Sequence, residues 1–122
     1  MKISAINNWL CGNISSTEIK DMLEPILKEH QKKLRTKGTS IPLFLTEDIH
    51  LVFGYLAFNF LCNSFLMDDI NELELSYIAE LLLLSSSVYI ENEDIEERLE
   101  LLCDYDIYGK FSKEDMRKLL KL

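Results

Sequence analysis

Apolar residues recur along this chain at three- and four-residue intervals, interrupted at a few points by glycine, proline or short polar runs. That spacing lines one face of a helix. It predicts a short helix over residues 3–10, stopped at Gly12, whose freedom at positive φ suits a helix end. Ser15 followed by Glu18 reads as a capping box. It opens a second helix that turns Ile19, Met22, Leu23, Ile26, Leu27 and Leu34 inward, runs toward Lys37 and ends at Gly38. Pro25 should kink or restart it. After a connector over 39–45 that contains Pro42, Thr46 reads as the cap of a third helix, with Glu47 and Asp48 in its positive first turn.

Residues 49–67 carry no formal charge and are apolar nearly all round. Only Tyr55, Asn59 and Asn63, spaced four apart, draw a polar line, so this helix is expected at the centre of the fold with that line at an edge or hydrogen-bonded. The stretch approaches the length of a bilayer span. It nevertheless contains His50, Asn59, Asn63 and Ser64, and its flanks are the acids Glu47, Asp48, Asp68 and Asp69, with no lysine or arginine to set an orientation. A buried helix fits better, and no membrane span is expected. Residues 68–71 break the pattern, 73–86 form another strongly apolar helix, and Ser85, Ser86 and Ser87 end it. From Asn92 a fifth helix turns Ile95, Leu99 and Leu102 inward and Glu93, Glu96, Glu97, Glu100 and Asp104 outward. Gly109 marks a turn, and Ser112 caps a last helix over 113–122. The expected architecture is all-α: one domain over 1–122, a bundle of about five to six helices around the central apolar helix.

Composition supports this reading. With 122 residues the chain can bury a core without staples, and 4 glycines and 2 prolines are few for a protein of many strands and tight turns. Cys11, Cys62 and Cys103 are odd in number and form no CxxC pair, and no signal-peptide pattern precedes Asn13. A reducing cytoplasm is expected, with each thiol acting as a small buried hydrophobe.

Charge changes the picture most. The net charge is −8, and no lysine or arginine stands between Lys37 and Arg98. Residues 38–109 hold one basic and fifteen acidic residues, while the segments on either side are each net +3. Lys28, Lys32, Lys33, Arg35 and Lys37 complement the negative end of the second helix, so nucleic-acid binding is not expected of them. The acidic block makes a one-signed field suited to steering a basic partner. It is densest on the fifth helix, where Glu93 with Glu97, Glu96 with Glu100, and Glu100 with Asp104 are like-charge pairs four apart. Each costs about 0.2 to 0.5 kcal/mol in an isolated helix. Tyr89 precedes this face and Tyr105 and Tyr108 follow it, as anchors beside the charge. The candidate partner-binding residues are therefore Glu93, Glu96, Glu97, Glu100, Asp104, Tyr105, Asp106 and Tyr108, with Glu72 and Glu74 on the preceding helix.

Catalytic chemistry is poorly represented. His30 and His50 have no histidine or cysteine at metal-ligand spacing, and there is no glycine-rich phosphate loop or nucleophile elbow. An enzyme is not expected, nor a cofactor. Residues 104–115 resemble an EF-hand loop, with Asp104, Asp106, Gly109, Phe111 and Ser112 at positions 1, 3, 6, 8 and 9. Tyr108 replaces the ligand at position 5, and Asp115 is too short for the bidentate glutamate at position 12. Calcium binding is thus not expected.

The run Trp9-Leu10-Cys11-Gly12-Asn13-Ile14-Ser15-Ser16-Thr17-Glu18-Ile19 is similar to the short helix, Gly-x-Ile-Ser turn and second helix that open colicin-D-type immunity proteins. Together with small size, acidity and helical pattern, the chain resembles the immunity proteins that bacteria make against their own nuclease toxins, including those of contact-dependent inhibition. The resemblance implies a cytoplasmic protein that binds a cognate basic nuclease toxin domain, RNase or tRNase, and neutralises it stoichiometrically. Two other classes remain open on the residues alone: an EF-hand-like regulatory module, and a helical adaptor or assembly protein.

Overall fold

Helix α1 spans Ile3–Leu10 and gives way at Gly12, whose φ of 80° is the left-handed conformation expected of it. Ser15 then accepts the Glu18 N–H at 3.2 Å, and α2 runs over Ser16–Leu34 without a break at Pro25. The computed structural model describes residues 1–34, 45–103 and 113–120. The predicted end of α2 at Gly38 lies outside them. Ile19, Leu23 and Leu27 are buried as the spacing requires, whereas Met22 faces solvent. Trp9 lies at the α1–α2 corner, fully buried. Its indole N–H donates to Ser16 Oγ at 3.1 Å, and its ring meets Phe60 edge-on at 5.2 Å.

The third helix does not begin at Thr46. Leu51–Phe53 instead form a strand, β1, which pairs in parallel with β2, Val88–Ile90, in the register Leu51 to Val88, Val52 to Tyr89 and Phe53 to Ile90. Valine and phenylalanine lose side-chain freedom in a helix, Gly54 is a poor helix interior, and an apolar run this short satisfies a strand equally well. Helices α3, Tyr55–Leu66, and α4, Glu72–Leu84, make the long crossover that parallel strands require. Helices α5, Glu93–Cys103, and α6, Lys113–Leu120, complete the described chain. The all-α expectation is thereby corrected: the described residues are mostly helical, with a small two-stranded parallel sheet.

Residues 46–48 acquire other duties. Thr46 exchanges backbone bonds with the N-terminus, accepting from Ile3 N–H at 3.0 Å and donating to Met1 O at 2.8 Å. Asp48 accepts from the Ser4 hydroxyl and, at 3.0 Å, from the Ser4 N–H, which puts a carboxylate at the positive end of α1. Glu47 accepts from Ser85 Oγ at 2.6 Å, Ser86 Oγ at 3.1 Å and Ser87 N–H at 3.1 Å, tying down the turn after α4. These bonds stabilise the ionised forms. The Ser85 and Ser4 hydroxyls are the largest causes that hold Glu47 and Asp48, respectively, below the usual carboxylate range.

The helix expected at the centre is half exposed. In α3, Phe58, Leu61, Cys62, Ser64 and Phe65 are buried, and the predicted polar line of Tyr55, Asn59 and Asn63 does face outward. Leu56 faces outward with it, as does Met67 just beyond the helix. Helix α4 is the most thoroughly buried instead, with every residue from Glu74 to Ala79 inside, and it packs most extensively on α5. Its start was legible in a signal the pattern reading passed over. Asn71 Oδ1 accepts from the Glu74 N–H at 2.9 Å and Glu74 Oε1 accepts from the Asn71 N–H at 2.8 Å, a reciprocal capping box. Among the described residues no helix is long and apolar enough to cross a membrane.

Candidate interaction surface

Asn92 opens α5 by accepting the Ile95 N–H at 3.0 Å on its side-chain oxygen. Ile95, Leu99 and Leu102 are buried against the core as predicted. Their burial fixes the rotation of the helix about its axis, so Glu93, Glu96, Glu97 and Glu100 all face solvent.

The single cation of this helix does not offset them. Arg98 is only 9% exposed, because its stem lies inward and its guanidinium stands 5.9 Å from the Phe58 ring centroid while pairing with Asp94 at 3.0 Å. Asp94 also accepts from the Tyr55 hydroxyl at 3.1 Å. One carboxylate is therefore committed to the fold. The outward glutamates keep their mutual repulsion.

The sheet adds an apolar surface beside this face. Val52 and Tyr89 are register partners on the outer side, 62% and 67% exposed, and Leu56 in the first turn of α3 is 88% exposed. Tyr89 was legible as an anchor. Val52 and Leu56 were missed, because a strand alternation three residues long was absorbed into a presumed helix. The signal for Leu56 was its place on the same helical stripe as Asn59 and Asn63.

The remaining candidates fall elsewhere. Glu74 is 4% exposed and engaged by the Asn71 N–H and by Lys20 at 3.4 Å, so its charge serves the start of α4. Glu72 is half-buried and borders a depression shared with Lys20, Asp68 and Lys113, where Lys113 pairs with Asp68 at 2.7 Å. Its neighbourhood is charge-balanced, unlike the α5 face. Asp104, Tyr105, Asp106 and Tyr108 lie outside the described residues, as does most of the EF-hand-like stretch. No group of three or more His, Cys, Asp or Glu side chains is placed to hold a metal ion among the described residues. His50 is exposed.

The cysteines divide by environment. Cys62 is fully buried, and desolvation pushes its thiol up to about 12. Cys103 is partly buried, and Cys11 is exposed, contrary to the expectation of three buried thiols. Position 11 is the C-cap of α1, beyond its buried face.

The arrangement can hold cations against an extended acidic face and pack apolar groups beside it. Compared with family models, with curated proteins and with solved structures, the chain has no match in any of the three.

Proposed function

We propose that this chain is an immunity-type inhibitor that binds a basic nuclease toxin domain through the exposed face of α5 and occupies or covers the surface where the toxin would hold phosphates. One observation carries the reading: four glutamates point outward from a helix whose only arginine is turned inward onto Asp94 and Phe58. Natural proteins accept such local repulsion chiefly where a partner relieves it. A nuclease supplies that partner, since it needs lysine and arginine to hold a nucleic-acid backbone, and an acidic face competes for those residues. Charge would speed the encounter, and the exposed Tyr89 would slow release by packing.

Val52, Leu56 and Tyr89 also favour a second reading, a helical assembly protein that uses this apolar surface. That reading expects self-association insensitive to salt. The deciding experiment is co-purification of the tagged chain with the toxin domain encoded beside it. A stoichiometric complex that suppresses nuclease activity supports the inhibitor, and a salt-resistant oligomer of the chain alone supports assembly.

A further inference from the structure

Strand β1 is an open edge. Its bonds to β2 run through alternate residues: Leu51 N–H donates to Ser87 O at 2.9 Å, and Phe53 O accepts from Glu91 N–H at 3.1 Å. In a parallel ladder the intervening residue directs its N–H and C=O to the other side, and the sheet has no strand beyond β1 among the described residues. Val52 thus offers its main chain to a further strand.

Val52 also borders a groove of about 480 Å³ whose apolar walls include Leu10, Tyr55, Leu56 and Phe60. Glu91 supplies the one charge among the groove's described lining residues. Its carboxylate stands close over Gly54, where a built Cβ would lie 2.8 Å from Glu91 Cδ. Among the described residues that carboxylate takes neither an ion pair nor a hydrogen bond. The groove therefore joins three recognition elements: an unpaired strand edge, apolar walls left exposed, and an exposed carboxylate with free acceptor positions.

We infer that this groove receives an extended segment of the protein partner in which an apolar residue is followed by lysine or arginine. The segment's main chain pairs with Val52, its apolar side chain covers Leu56 and Phe60, and its cation meets Glu91. Charge complementarity selects this occupant. An acidic or anionic segment would meet Glu91 and the field of a chain of net charge −8, and a second copy of the chain would bring that same charge. The inference rests on the reading of a basic protein partner, but it uses residues other than the α5 glutamates.

The test is an NMR titration of the full ¹⁵N-labelled chain with a blocked peptide of alternating valine and lysine, beside a valine–glutamate peptide of equal length. The lysine peptide is expected to shift the amides of Leu10, Val52, Leu56 and Glu91 with a Kd of about 1 mM, and the glutamate peptide to shift none of them. Glu91→Gln and Leu56→Ser, both exposed positions, should each weaken binding about tenfold. The groove shifts should persist when Glu96, Glu97 and Glu100 are all changed to Gln. Shifts confined to α5, equal binding of both peptides, loss of the shifts in the triple variant, or self-association without peptide would each overturn the groove assignment. Persistent groove binding with toxin affinity unchanged in the triple variant would instead sink the α5 reading and leave the groove standing.

Discussion

Replacing Glu97 and Glu100 by glutamine isolates the cost of the acidic face in the free protein. The two substitutions remove the Glu93–Glu97 and Glu96–Glu100 repulsions and the closer-spaced pairings of Asp94 with Glu97 and of Glu97 with Glu100. They leave Glu93, Asp94 and Glu96 in the first turn, where the helix dipole favours negative charge. Buried contacts are untouched, since both side chains face solvent and Arg98 keeps Asp94 at 3.0 Å. Counting only the two pairs four apart, at about 0.2 to 0.5 kcal/mol each, the gain should be about 0.5 to 1 kcal/mol. For a chain of 122 residues this corresponds to a Tm rise of about 2 to 4 °C. Salt provides the internal control, because screening relieves the same repulsion in the parent. Calorimetric melts at low and high ionic strength should therefore show the variant ahead at low salt and the difference shrinking as salt is added. A Tm that is unchanged or lower at low salt, or a difference indifferent to salt, would refute the claim that these glutamates repel one another at a cost to the fold.

Three further outcomes follow from particular contacts. Asn71→Ala removes the acceptor of the Glu74 N–H at the start of the most buried helix and should cost about 1 kcal/mol, read as a Tm lower by about 4 °C. Glu47 and Asp48 have folded-state pKa values below their ordinary ones of 4.5 and 3.8, so the stability they contribute is fully present above those values and is lost as pH falls through the folded ones. Acid titration should thus release amide-exchange protection first at Ser4 and Ser87, and a Glu47→Gln, Asp48→Asn variant should lose this pH dependence. An alkylating reagent at mildly alkaline pH should label exposed Cys11 quickly and leave buried Cys62 unmodified until the chain unfolds, by mass spectrometry of digests.

Much of the helical pattern was legible because helical spacing and caps are local signals. The stop at Gly12, the cap at Ser15 and the inward set Ile95, Leu99 and Leu102 all stand where the pattern placed them. The sheet was not legible, because β1 and β2 are three residues each and become strands only by meeting one another across two helices. The same distance hid the duties of Glu47 and Asp48, which read as first-turn acids of a helix and prove to be acceptors for Ser85–Ser87 and Ser4. The exposed glutamates of α5 were legible because amphipathic spacing alone sets their direction. The inward turn of Arg98 was not, since it depends on Phe58 of another helix.

The central claim, that the α5 face captures a basic partner, is tested most directly by stopped-flow association of the toxin domain with the parent and with the variant in which Glu96, Glu97 and Glu100 are glutamine. Measured across a series of salt concentrations, the parent's association rate should fall steeply with salt while its dissociation rate changes little, because screening acts on the encounter. The triple variant should start slower and respond weakly. Its affinity should be lower by about 1 kcal/mol or more for each contact desolvated in the complex. Identical rates, affinities and salt dependences for the two proteins would contradict the claim and leave the acidic face as no more than solvated surface.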